Sequence, residues 1–270
     1  MINETIANFH THTTFCDGKN TPEEIIISAI DKGFSAIGLS GHGYTPFDLR
    51  YCMKDTDGYI NEINRLKIKY ADKIQVYLGI EEDAFAPSDR SKFDYIIGSS
   101  HYFCVGDKYF PIDSNYDYFK KCLPLFEGDA VKMGNAYFGA FCDYIRKRRP
   151  DIIGHFDLIT KFDEMDEPIF KNNLEYQKLA EKFLLQTIKY GCIYEINTGA
   201  ITRGIRSTVY PSENLLYILK KENAKIILAS DSHQIETLDG AFTQTKEYLK
   251  DIGFKNLCTL LNGEFVSINI

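Results

Sequence analysis

Seven short apolar runs recur along the chain, each closed by a polar motif and most followed by an amphipathic, helix-like stretch. That alternation commits the backbone to a parallel sheet with helical crossovers. The runs span residues 6–9, 36–39, 74–78, 95–98, 151–154, 192–194 and 225–229. The closing motifs are His10-Thr11-His12, Ser40-Gly41-His42, Gly79-Ile80-Glu81, Ser99-Ser100-His101, His155-Phe156-Asp157, Glu195-Ile196-Asn197 and Ser230-Asp231-Ser232-His233. All six histidines of the chain fall in these motifs. An open doubly wound sheet gathers its ligands at a single switch crevice. Histidines and carboxylates after so many strands instead require strand ends that converge, which closure into a barrel provides. Seven units rather than eight point to a variant of the TIM-like barrel, with its metal site at the C-terminal mouth.

Helix signals support this reading. Thr21 is an N-cap followed by Pro22 at the first helical position, with Glu23 and Glu24 at the positive end. That helix is expected to stop near Gly33. Further helices are expected over 56–71, after Asp129, over 172–190, from Ser212 and over about 236–250, before a terminal apolar segment. Residues 102–150 form the longest interruption, rich in Tyr and Phe. This insertion fits either a packed embellishment of the barrel or a lid that shapes specificity. Its run Arg146-Lys147-Arg148-Arg149 reads as the cationic last turn of a helix.

The chain has 270 residues, 44% of them hydrophobic and 26% charged, which is enough to build one domain over 1–270. Its net charge of −7 lacks the basic footprint of a nucleic-acid or acidic-membrane binder. No apolar stretch is long enough to span a bilayer. The seven cysteines form no C-x-x-C pair, and the start lacks the features of a secretory signal. Reduced thiols in a cytoplasmic protein are the expectation. Cys16, close to the first histidine pair, reads as a small core or loop residue.

His10 and His12 lie two apart at a strand end and can face the same side. Asp17 adds a hard oxygen ligand, Glu81 has two oxygens with which to bridge ions, and Asp231 and His233 repeat the two-residue spacing. Divalent Zn, Mn and Fe all accept this mixture of nitrogen and oxygen.

With these motifs in place, the chain resembles the PHP (polymerase and histidinol phosphatase) superfamily over essentially its full length. The segment from Asp151 to Ile159 is similar to the histidinol-phosphatase branch. The resemblance implies a distorted (β/α)7 TIM-like barrel of the PHP type, with a trinuclear metal centre at its mouth. His10, His12, Glu81 and Asp231 would hold one ion. Glu81 would bridge to a second, with His101 and His155, and Asp17, His42 and His233 would hold a third. It implies hydrolysis of a small phosphorylated substrate, L-histidinol phosphate, in histidine biosynthesis. Glu81, Asp231 and His233 would be the catalytic group. Other members act on other small phosphates or nucleotides, and a noncatalytic metal-binding regulatory barrel is a different class of reading. The chain departs at Gly41, where the family often has Asp before the histidine, which puts one contact behind the third site in question.

A phosphate also needs cationic side chains. Arg203 and Arg206 after the sixth strand, and Lys161 beyond His155, are the candidates, since a guanidinium fork matches phosphate oxygens. Glu195 fits either an amine contact or a residue orienting a ligand.

Overall fold

The computed structural model describes residues 6–270. Its strands are β1 (Ala7–Asn8), β2 (Ala36–Leu39), β3 (Gln75–Asp83), β4 (Tyr95–Ser99), β5 (Tyr102–Val105), β6 (Lys108–Pro111), β7 (Ile152–Ile153), β8 (Ile193–Asn197), β9 (Ile226–Ala229), β10 (Asn256–Leu261) and β11 (Glu264–Asn269). Seven of them pair in the order β1-β2-β3-β4-β7-β8-β9, every neighbour parallel. The first and last meet through a parallel bridge between Thr11 and Ser232, where the His12 N–H donates to the Ser232 carbonyl at 2.8 Å. Below that bridge the Asn8 amide donates to Ser230 Oγ at 2.6 Å across the seam. The result is the expected nearly closed seven-stranded barrel.

The helices are α1 (Pro22–Asp31), α2 (Thr56–Lys69), α3 (Tyr116–Cys122), α4 (Ala130–Arg148), α5 (Leu174–Ile188), α6 (Gly199–Thr202), α7 (Glu213–Lys221) and α8 (Phe242–Ile252). Thr21 and Glu24 close a reciprocal capping box on α1, and Gly33 follows the helix with φ +77°. None of the helices among the described residues is long and apolar enough to cross a membrane. All seven cysteines are free thiols.

Each barrel strand or its flank sends a side chain into one interior cluster, which holds Phe9, Ala36, Tyr77, Tyr95, Ile97, Ile152, Ile193 and Ile227. Tyr95 is its centrepiece, with its hydroxyl donating to the Phe9 carbonyl at 2.5 Å. A Cβ at Gly38 would sit 2.2 Å from that hydroxyl, and one at Gly79 would sit 2.3 Å from its ring, so both glycines make room for the phenol. Leu260 of β10 joins the cluster. The terminal apolar segment is therefore a β10–β11 hairpin that plugs the barrel, and its turn bonds Gln75 and Tyr77 at the start of β3.

Two expectations are corrected. β3 does not stop at residue 78 but runs to Asp83, so Glu81 lies within a strand and is fixed by pairing with β4. The last helix begins at Phe242 rather than near 236. The Leu238 carbonyl accepts from Asn8 and Ser230 at the seam, and residues 235–237 form only a 3-10 turn. The run 146–149 is the cationic last turn of α4, as expected. Arg148 reaches Glu82 with bonds of 2.9 Å to each carboxylate oxygen, while Arg146 and Lys147 pair with Asp143.

The insertion contains a β5–β6 hairpin, α3 and α4. Tyr137, Phe138 and Phe141 of α4 are fully buried in the outer core, two of them against Phe156. The hairpin end reaches the barrel mouth. The segment thus packs the barrel with its helix and walls the mouth with its hairpin.

Candidate metal centre

Parallel strands ending at one rim aim their next side chains at a common point, and here nine metal-type residues meet. Glu81, itself buried, is the hub. His10 Nε2 lies 3.2 Å from its Oε2, and His42 Nδ1 lies 2.8 Å from the same oxygen. His155 Nε2 and His101 Nε2 lie 3.1 and 3.4 Å from Oε1. Asp231 approaches from β9, its Oδ1 3.1 Å from His12 Nε2 and 3.7 Å from His10 Nε2. Asp17 completes the rim, with Oδ2 3.3 Å from His233 Nε2 and 3.8 Å from His42 Nε2.

The ligand atoms of His10, His12 and Asp231 lie within 4.8 Å of one another, as do those of His42, Glu81 and His101, and those of His12, Asp17, His42 and His233. His12 and His42 each face two groups, so the geometry overlaps the three-way division implied by the resemblance without reproducing it.

Carboxylates behind the imidazoles set their orientation. Glu195 Oε1 is 2.5 Å from His10 Nδ1. A carboxylate only accepts, so Nδ1 carries the proton and Nε2 turns its lone pair inward. The second Glu195 oxygen accepts the His155 backbone N–H at 2.7 Å. Asp83 does the same for His101, at 3.3 Å from Nδ1 and 2.8 Å from the backbone nitrogen. His233 Nδ1 donates to the Asp231 carbonyl at 3.1 Å. The sequence left Glu195 open between two roles, and the structure makes it an orienting residue. Asp83 was missed, although it lies two residues beyond Glu81 on the same strand face.

The charges are strongly coupled. Burial alone would raise the Glu81 carboxyl, but His10, His42 and His101 hold it well below the usual range. Burial would lower His10, and Glu195, Glu81 and Asp231 together reverse this and raise it. His12 is pulled down to about 3 by burial and by the charges of His233 and His42. His10 Nε2, His12 Nε2 and Glu81 Oε2 are all buried without a hydrogen-bond partner. Buried polar atoms in this state are costly unless something else satisfies them. Inward lone pairs and a buried carboxylate are the donor set of divalent cations, so these residues fit a metal.

Above this set opens a cavity of about 360 Å3, lined also by Arg50, Tyr51, Tyr102, Asp113, Lys161 and Arg203. Arg203 gives both terminal nitrogens to Asp231, 3.0 Å to the carbonyl and 3.0 Å to Oδ2. Lys161 Nζ donates to the Asp113 carbonyl at 2.7 Å. Arg206 does not belong here. Its guanidinium stacks 4.5 Å from the Tyr210 ring centre and donates to the Thr160 carbonyl at 3.1 Å, facing a different cavity. The chain turns after α6 and carries Arg206 away from the mouth. The loop over 43–55, which brings Asp48 and Tyr51 to the cavity, carries no periodic signal and was not anticipated.

Gly41 also finds an account. A Cβ there would lie 2.6 Å from Cys16 Sγ. Cys16 is packed 3.6 Å from His12 Nδ1 and 3.4 Å from the Thr13 carbonyl. The sulfur occupies the space that a larger residue at 41 would need.

The chain belongs to the PHP domain family, whose model matches residues 8–199. Among its relatives, a Schizosaccharomyces pombe protein named a probable histidinol-phosphatase is 29% identical, over 94% of this chain and 89% of that protein. The Bacillus subtilis histidinol-phosphatase is 22% identical over 83% of this chain and 92% of that one. A Lactococcus lactis histidinol phosphate phosphatase, solved with Zn, L-histidinol and phosphate, superposes with a TM-score of 0.72 at 21% identity, covering 96% of this chain and 98% of that one.

Proposed function

We propose that the protein is a metal-dependent phosphate monoester hydrolase that converts L-histidinol phosphate and water to L-histidinol and phosphate, a step of histidine biosynthesis. One observation carries the reading: buried, unpartnered His10 Nε2, His12 Nε2 and Glu81 Oε2 converge beneath a cavity walled by Lys161 and Arg203. The histidinol-phosphatase relatives, and the ligands of the Lactococcus lactis structure, support the choice of substrate.

Three divalent ions, Zn, Mn or Fe, would be held as the resemblance divides them. His10, His12, Glu81 and Asp231 take one, Glu81, His101 and His155 a second, and Asp17, His42 and His233 a third. Bound divalent ions supply Lewis acidity for phosphoryl oxygens and acidify water. Glu81 would be shared by two of the sites. Lys161 and the outward N–H groups of Arg203 orient the phosphate. Arg203 also fixes Asp231 from behind, holding that carboxyl well below its usual range against the effect of burial. His233 is the most open imidazole of the set, with 27% of its side chain exposed. With its Nδ1–H engaged by the Asp231 carbonyl, His233 has Nε2 left to hold an ion beside Asp17, so it and Asp231 act as ligands, and the proton that the departing alkoxide takes up is one released by the attacking water. The P–O ester bond breaks, the water oxygen remains on phosphorus, and no serine or cysteine nucleophile is involved.

Metal-loaded protein should release phosphate from L-histidinol phosphate, and chelation should abolish turnover. Efficient hydrolysis of other monoesters with none of this one would overturn the substrate assignment.

A further inference from the structure

The end of β3 carries three carboxylates in a row, Glu81, Glu82 and Asp83, all of them buried. Side chains alternate along a strand, so Glu81 and Asp83 face the metal-type cluster and Glu82 faces the other way, toward the insertion. A buried carboxylate is costly unless it is paired and hydrogen-bonded. Both oxygens of Glu82 are doubly engaged. Oε1 accepts from the Tyr144 hydroxyl at 2.6 Å and from Arg148 Nε at 2.9 Å. Oε2 accepts from Arg148 Nη2 at 2.9 Å and from the Ser88 N–H at 2.7 Å. Arg148 Nη2 also donates to the Ser88 carbonyl at 2.8 Å, which ties down the chain that follows the strand.

This clamp meets β3 where the sheet supports it least. On the β2 side the ladder ends at Leu78, followed by one bridge between His42 and Glu81. Among the described residues Glu82 pairs with one strand, β4, where it lies opposite Gly98. A Cβ at Gly98 would lie 2.5 Å from both the ring and the hydroxyl of Tyr144, so the glycine admits the phenol to the carboxylate. Tyr144 and Arg148 stand four residues apart in the last turns of α4 and share one face of it.

We infer that Arg148 is a positioning residue for the metal centre: by gripping Glu82 from outside the barrel, it fixes the rotation of the β3 end and with it the aim of Glu81 and Asp83. This rests on the metal-dependent reading above. Glu81 is the hub of the cluster and Asp83 orients His101, so a roll of the strand end would misdirect both. Helix α4 of the insertion thereby holds the metal centre through the barrel wall without touching it. A pure charge effect would have the opposite sign. Arg148 is a cation near a cation site, so removing its charge alone would strengthen metal binding. Losing the aim of the ligands weakens it.

The test is zinc binding by the metal-free full chain, read as the free zinc concentration at half-saturation in competition with a chromophoric chelator. Arg148→Met keeps the apolar stem and loses the fork, and should bind zinc about 10- to 100-fold more weakly than wild type. Arg148→Lys keeps the charge without the fork and should fall between the two. Ile145→Ala, in the same helix, removes a side chain buried in the outer core that makes none of the clamp's hydrogen bonds. It should lower the urea midpoint and leave zinc affinity at the wild-type value. Where Arg148→Met does not fold, Arg148→Lys together with Tyr144→Phe carries the same comparison. Zinc affinity equal to or tighter than wild type in the clamp variants, or equal weakening in Ile145→Ala, overturns the inference and leaves the phosphatase reading standing. A wild-type chain that binds no divalent ion overturns both. Zinc affinities as expected, with no phosphate released from any monoester, overturn the phosphatase reading alone.

Discussion

Gly41 offers a steric test whose size can be worked from the structure. Gly41→Ala would place a Cβ 2.6 Å from Cys16 Sγ, 3.6 Å from Cys16 Cβ and 3.7 Å from Met53 Cε. Ordinary contacts between heavy atoms of this kind lie near 3.5–4.0 Å, so only the sulfur is in the way, by about 1 Å. It has nowhere to go, with His12 Nδ1 on one side and the Thr13 carbonyl on another. Gly41 is not among the glycines with positive φ, so alanine brings no backbone strain. Overpacking of this order costs about 1–3 kcal/mol. Cys16→Ala removes the sulfur and should make Gly41→Ala nearly neutral. The four proteins of this double-mutant cycle, unfolded in urea, should give a coupling of about 1–3 kcal/mol, in which the effect of Gly→Ala on the unfolded chain cancels. A coupling below about 0.5 kcal/mol would refute the claim that Cys16 and Gly41 share one space.

Three further outcomes follow from the site and its surroundings. Glu195→Gln removes the carboxylate that orients His10 and should weaken metal binding about 10- to 100-fold in competition with a chelator; affinity equal to wild type would refute its orienting role. Asp163 has its carboxyl raised to about 6, chiefly by burial. The folded state therefore holds its proton more tightly than the unfolded chain. The stabilisation this gives is complete below about pH 4 and is lost as pH rises through about 6. Asp163→Asn should then stabilise the protein at pH 7, by at most about 3 kcal/mol, and flatten its melting temperature between pH 4 and 6 relative to wild type; an unaltered profile would contradict this. Lys161→Ala should raise KM for phosphate esters, whereas Arg206→Met should lower the urea midpoint and leave KM within about twofold, since Arg206 holds Thr160 rather than substrate; the reverse pattern would restore Arg206 to the site.

The parts of this molecule visible in the sequence were those fixed by strand geometry. His10 and His12, Asp231 and His233, and the histidines after β2, β4 and β7 all follow apolar runs, so parallel pairing sends them to one rim. Thr21-Pro22 with Glu24 announced α1 just as plainly. What stayed hidden depends on contacts distant in sequence. Asp113 is placed by the Ile112–His101 bond and Asp48 by Arg50 and Tyr102, and no period in the chain marks either. Arg203 and Arg206 look equivalent three residues apart, yet only the first reaches the mouth, because the chain folds the second back to Thr160. The late start of α8 has the same origin, in Asn8 and Ser230 holding the Leu238 carbonyl.

The seam where Thr11 meets Ser232 has a consequence in time. The Asn8–Ser230 bond beside it joins residues 222 apart in sequence. As the chain leaves the ribosome, His10 and His12 emerge long before Asp231 and His233. Throughout that interval, the first strand carries its two imidazoles without the partners that complete their surroundings. With the metal ligands proposed above, capture of a cation by the full set would therefore be coupled to barrel closure rather than precede it.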